Sequence, residues 1–156
     1  MFALNFLMNI EFRTFLRTGK LGFIASHSSE DDVISRLGKL KHSCAKASGV
    51  NLYLFGDIEV AFFENQIIYI QFDLEKGRCP KGCEELELYE SGYVGGSSLE
   101  EILVHLNKDG LSYKIEDDQN NPGTKIIITD SEVHLSVECD SDNEHNGLNN
   151  IIKSYF

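Results

Sequence analysis

Positive charge is scarce in this chain. Its 156 residues carry 14 Lys+Arg against 25 Asp+Glu, a formal charge of -11 with an isoelectric point near 4.8. Nucleic acids are held by cations that displace counterions from phosphate, so this balance counts against a nucleic acid as direct ligand. It counts equally against an anionic membrane surface, and it favours solubility and attraction to a basic partner. Long apolar runs are also missing. Nothing approaches the 18 or so continuous apolar residues of a membrane span. No basic residue precedes the first apolar stretch, Asn5 and Asn9 interrupt it, and no small-residue cleavage site follows. A secretory signal is therefore not expected, and the expected compartment is the cytoplasm. There the four cysteines, Cys44, Cys79, Cys83 and Cys139, are expected to be free thiols.

Catalytic signatures are lacking as well. There is no HExxH, no GxSxG elbow and no phosphate loop; Gly92, Gly95 and Gly96 are not followed by the Lys-Ser/Thr that a phosphate cradle needs. Cys79-Pro-Lys-Gly-Cys83 has no second cysteine pair to complete a zinc site, and it reads as a Pro/Gly turn. The five histidines, His27, His42, His105, His134 and His145, are scattered, with His105 on the polar side of its helix. Asp-Ser-Asp-Asn-Glu-His-Asn-Gly (140–147) has acids at the first and third places of a calcium loop but lacks its central Gly and closing Glu. No catalytic residue, metal or cofactor is expected, and the chain reads as a binding protein. An enzyme with a site assembled from distant residues is a third reading.

What is present is ordinary globular usage, 42% apolar and 25% charged, at a length that suits one domain over residues 1–156. The charge is uneven. Residues 1–83 hold 9 acids and 10 bases, whereas residues 84–156 hold 16 acids and 4 bases. The whole negative excess lies in the second half, which hints at an interaction face there.

The pattern of apolar residues predicts a helix over 4–17, with Leu4, Leu7, Met8, Phe12, Phe15 and Leu16 at three- and four-residue spacings and Gly19 past its end. A second helix is expected at 29–37, capped by Ser28 or Ser29 and stopped by Gly38. A basic loop at 39–49 leads to strands at 51–55, 57–63 and 66–74. The last two form a central hairpin, with Ile68, Ile70 and Phe72 on one face and Ile67, Tyr69 and Gln71 on the other. Beyond a turn at 75–82 come a strand at 86–89 and a helix opened by the capping box Ser98/Glu101, with Leu99, Ile102, Leu103 and Leu106 inward. Strands at 111–116, 125–129 and 133–138 follow, the first two joined by the turn 117–123.

The two capped helices echo each other at an offset of 69, Ser28 over Ser97, Ser29 over Ser98, Val33 over Ile102 and Leu37 over Leu106. Similar strand starts follow each, so two tandem helix–hairpin units, 27–74 and 96–156, are expected. This favours a strand over a helix at 148–156, pairing with 133–139. The fold class is α+β: antiparallel hairpins with helices packed on one face.

This order of Ser-Ser-Glu-Asp-Asp-Val-Ile-Ser-Arg-Leu-Gly, Tyr-Leu-Phe-Gly-Asp-Ile-Glu-Val-Ala-Phe-Phe with its hairpin, and a Ser-x-x-Glu helix before short strands resembles small immunity proteins. Such proteins belong to bacterial polymorphic-toxin systems, including contact-dependent growth inhibition. The resemblance spans most of residues 15–156 and implies a cytosolic protein that binds one cognate toxin C-terminal domain and blocks its active site or substrate groove; a monomer is favoured, and the charge speaks against a membrane or direct nucleic-acid partner. A toxin nuclease with a basic groove would suit an acidic inhibitor. The acids expected to face it are Glu84, Glu85, Glu87, Glu90, Asp117, Asp118, Asp140, Asp142 and Glu144. The alternative is an acidic secretion chaperone, a dimer clamping an extended segment of an effector protein.

Overall fold

The computed structural model describes residues 8–38, 43–83, 86–89, 92–140 and 146–155. It shows an α+β fold built mainly of antiparallel sheet. A short strand β1 (Met8–Glu11) runs into helix α1 (Phe12–Thr18), and α2 (Glu30–Leu37) follows. The strands β2 (Ser43–Ala47), β3 (Val50–Phe55), β4 (Ile58–Phe63) and β5 (Gln66–Asp73) form a meander. After β6 (Leu86–Tyr89) comes α3 (Leu99–Lys108), then a second meander of β7 (Tyr113–Asp117), β8 (Thr124–Thr129), β9 (Val133–Glu138) and β10 (Gly147–Ser154). The two meanders join edge to edge as one eight-stranded sheet, β2-β3-β4-β5-β10-β9-β8-β7.

That order reads the same from either edge, and the bonding repeats in detail. The Ile67 N–H donates to Ser28 O at 3.1 Å, and the Leu148 N–H donates to Ser97 O at 2.8 Å. Ser29 and Ser98 each cap a helix, accepting from the N–H of Asp32 and Glu101 at 3.1 and 3.2 Å. Each closing strand carries one extra residue at the same place, Ile68 in β5 and Asn149 in β10. Across the seam the bonds are reciprocal: Leu74 N–H to Asn149 O at 3.1 Å, Tyr155 N–H to Ile68 O at 3.0 Å. The 69-residue echo of the helices thus lies on a frame with an approximate two-fold axis between β5 and β10.

One face of the sheet buries Tyr53, Phe55, Val60, Ile70, Phe72, Leu135 and Ile151 against the apolar stripes of the three helices. The helix-facing stripes follow from spacing: Phe12, Phe15 and Leu16 on α1, Val33, Ile34 and Leu37 on α2, Ile102 and Leu106 on α3. The Phe12 ring lies edge-on to Phe72 at 5.1 Å between centroids and 5.7 Å from Tyr93. Gly19, at φ +70°, ends α1 with its N–H on Phe15 O, a left-handed turn that a side chain would strain.

Four expectations are corrected. Met8–Glu11 is strand rather than helix, because it pairs in parallel with β6, and tertiary pairing overrides a helical pattern at a chain segment this short; Leu4 and Leu7 lie outside the described residues. The expected loop 39–49 contains β2, recruited as an edge partner of β3. In β5 the inward set is Ile67, Ile70 and Phe72, since the extra residue Ile68 shifts the register between Ala61 and Phe62 and reverses the alternation before it. His105 is half-buried, its ring 5.6 Å from that of Tyr93, rather than on a purely polar side. The strand at 148–156 is observed as β10, paired with β9.

Phe12→Ala should destabilise the protein by about 3–5 kcal/mol, the cost of an aromatic-sized cavity in a packed core. Val104→Ala, on the exposed side of α3, should change stability by less than about 0.5 kcal/mol. Urea unfolding followed by circular dichroism measures both.

Candidate functional site

Strand register fixes where the acids lie. Asp117 closes β7, Asp118 opens the following turn, and Asp140 lies just past β9; all three are at the same end of the sheet. The Asp118 N–H donates to Thr124 O at 3.0 Å, and the Cys139 N–H donates to Gly123 O at 2.8 Å, which ties the turn 118–123 to the end of β9. A Cβ on Gly123 would lie 3.5 Å from Asp140 Cβ. These three expected partner-facing acids are therefore brought together. Glu87 is exposed on β6, in the separate two-stranded sheet with β1. That segment approaches the turn between β3 and β4, where a Cβ on Gly56 would lie 2.3 Å from Gly82 O. The β3–β4 turn is five strand spacings from β7, on the order of 24 Å. Glu87 does not join the trio. Glu84, Glu85, Glu90, Asp142 and Glu144 lie outside the described residues.

The same end of the sheet collects acids that linear clustering missed. Asp57 is in the β3–β4 turn, Asp73 and Glu75 close β5, and Glu138 closes β9. Three of these belong to the near-neutral first half of the chain. The signal that would have found them is positional: each is at a strand end, and antiparallel registry places those ends side by side. Part of this charge is compensated locally. Arg78 Nη2 donates to Asp57 Oδ1 at 2.6 Å and Nη1 lies 3.3 Å from Glu75 Oε2, while Lys125 pairs with Asp117 across the β7–β8 ladder. A groove of about 470 Å³ runs here on the sheet face away from the helices, lined by Asp118, Asn121, Ser136, Glu138 and Asn150.

Asp118 is prepared to stay ionised. Its carboxylate accepts from Asn121 Nδ2 and from the Asn120 N–H, both at 2.9 Å. The Asn121 side chain, and next the Asn120 N–H, hold its carboxyl below the usual carboxylate range. Other shifted groups are phenols. Burial, and then a bond from Tyr69 OH to Glu59 at 2.5 Å, push Tyr69 upward. Burial and then Asp109, at 2.9 Å, do the same for Tyr93, and burial alone does so for Tyr155. All three remain neutral donors.

Among the described residues no group of three or more His, Cys, Asp or Glu is placed to hold a metal ion, and no helix is long and apolar enough to cross a membrane. Cys79 and Cys139 carry free thiols. No protein-family model, curated protein or solved structure matches this chain.

A carboxyl with a depressed folded-state pKa stabilises the fold above its unfolded pKa, and that contribution is lost as pH falls through the folded value. Carbon-detected NMR titration should therefore show Asp118 titrating below about 3.9, the unperturbed value. Asn121→Ala should raise its pKa toward that value.

Proposed function

We propose that this chain is an immunity-type inhibitor that binds a cognate toxin domain through the acid-rich end of its sheet. The observation that carries the reading is the convergence of Asp73, Asp117, Asp118, Glu138 and Asp140 at strand ends drawn from both meanders. Ordered strand ends set these carboxylates without the entropy cost of mobile loops, which suits a preorganised docking surface. A basic groove, such as that of a nuclease, would meet complementary potential here, and the gain would fall chiefly on the association rate. The Asp118 turn adds to the fit, because its carboxylate stays charged under acidic conditions. The resemblance to immunity proteins agrees with an inhibitory role rather than a catalytic one, and the expected setting is the cytoplasm.

The test is co-expression with a C-terminal toxin domain, should a neighbouring gene encode one, followed by purification of the pair. Rescue of growth and a one-to-one complex with a folded domain are expected. Combined Asp117→Asn, Asp118→Asn and Asp140→Asn should slow association by about tenfold and flatten its salt dependence. Glu87→Gln, on the separate two-stranded sheet, should leave both unchanged. Unaltered binding by the triple variant would refute the acidic surface. A dimer that binds only an unfolded segment would replace the immunity reading with the chaperone one.

A further inference from the structure

At the other end of the sheet from the acids lies a cleft of about 630 Å³, between the end of α1, the loop before α2 and the ends of β9 and β10. Its charged walls are Lys20, Lys153, His134 and Glu132, with Ser26 and Tyr155 completing it. Its two lysines outnumber its one carboxylate, Glu132, which lies 3.9 Å from His134 Nε2. Residues 84–156 contain only four bases, Lys108, Lys114, Lys125 and Lys153. Lys114 pairs with Glu116 and Lys125 with Asp117, whereas neither Lys153 nor Lys20 has a carboxylate partner among the described residues.

Lys153 is out of place as a structural residue. Its cross-strand neighbours Ile70 and Val133 are fully buried, so it occupies an inward row of the sheet. The two-fold repeat makes the point sharper. Tyr155 corresponds to Leu74 through the reciprocal seam bonds, so Lys153 corresponds to Phe72, which is fully buried. The equivalent groove in the first unit is lined by Asp57, Asp73, Leu74 and Glu75. The matching place carries acids in one unit and two lysines beside Glu132 in the other, so the frame itself does not demand a cation. Lys153 is only half-buried, because its side chain lines the cleft. Within the protein, its ammonium donates to Ser131 O at 2.7 Å and lies 5.7 Å from the Tyr155 ring centre. One carbonyl satisfies one of its three donors.

We propose that this cleft binds a small organic anion, a carboxylate or phosphate monoester with an apolar body. Lys153 and Lys20 take the charge, Ser26 and Ser154 supply hydroxyl donors, and the Tyr155 ring and Ala25 receive the body. The cleft and the acid-rich end are at opposite ends of the strands, so this inference stands whether or not a toxin domain docks there.

Titration of the isotope-labelled full chain with phenyl phosphate, benzoate and inorganic phosphate, followed by amide NMR, tests it. Saturable shifts at Lys20, Ser26, His134, Ser154 and Tyr155 are expected with phenyl phosphate or benzoate, with silence at Asp118 and Asp140. Inorganic phosphate should bind more weakly; equal affinity would overturn the apolar-body part. Lys20→Gln, at an exposed position, should weaken binding about tenfold, the loss of one charge-assisted bond. Lys153→Met, which keeps the stem, should weaken it at least as much. Absence of saturable shifts at millimolar probe overturns the proposal, as does unchanged affinity in Lys20→Gln, which decides the matter even if Lys153→Met fails to fold.

Discussion

The fold depends on the antiparallel pairing of β5 with β10, in which Phe72 faces Ile151 and Ile70 faces Lys153. Each four-stranded meander ends in a strand that would otherwise present an open edge and half of an apolar face. Pairing the two closing strands removes both edges at once and makes a single inner surface broad enough for three helices. The extra residues Ile68 and Asn149 are part of this joint, because their carbonyls accept the reciprocal bonds from Tyr155 and Leu74. Bulges at those positions turn each strand so that its end can reach across the seam. The α1 helix locks the joint from above, with Phe12 and Phe15 both 5.1 Å from the Phe72 ring.

Much of this was legible in the sequence, and the part that was not has a physical pattern. Local chemistry was reliable: Ser98 with Glu101 does form a capping box, Ser29 does cap α2, and Gly19 and Gly38 do close their helices. The helix echo was readable because a capped amphipathic helix needs the same residue types at the same spacings. Failures occurred where distant pairing decides. Met8–Glu11 has helical spacing but is held as strand by Leu86–Tyr89. Ser43–Ala47 has no large apolar residue of its own and becomes strand because β3 offers an edge. The face assignment of Ile67 and Ile68 failed on a bulge, which moves one residue and reverses every side chain before it.

The candidate surface shows the same division. Linear charge found Asp117, Asp118 and Asp140 because two of them share a turn and the third lies across the ladder from it. It could not find Asp57, Asp73, Glu75 or Glu138, which come to the same end of the sheet only through strand order. Glu87, which linear charge grouped with Asp117 and Asp118, lies on β6 in another sheet. Excess charge in one half of a chain is thus a weaker guide than charge at the ends of paired strands.

An approximate two-fold axis would by itself give both ends of the sheet the same character. Instead, the positions of Phe72, Asp73 and Leu74 are taken in the second unit by Lys153, Ser154 and Tyr155. Phe72 is covered by α1 aromatics, whereas Lys153 emerges beside Gly19, where α1 has ended and a fully apolar side chain would have no helix above it. The single copy of α1 therefore breaks the symmetry of the doubled frame. It completes the core over one unit and leaves the matching place in the other open to solvent, lined by Lys20, Lys153, His134 and Glu132. That asymmetry allows a chain of two similar halves to present two chemically different ends.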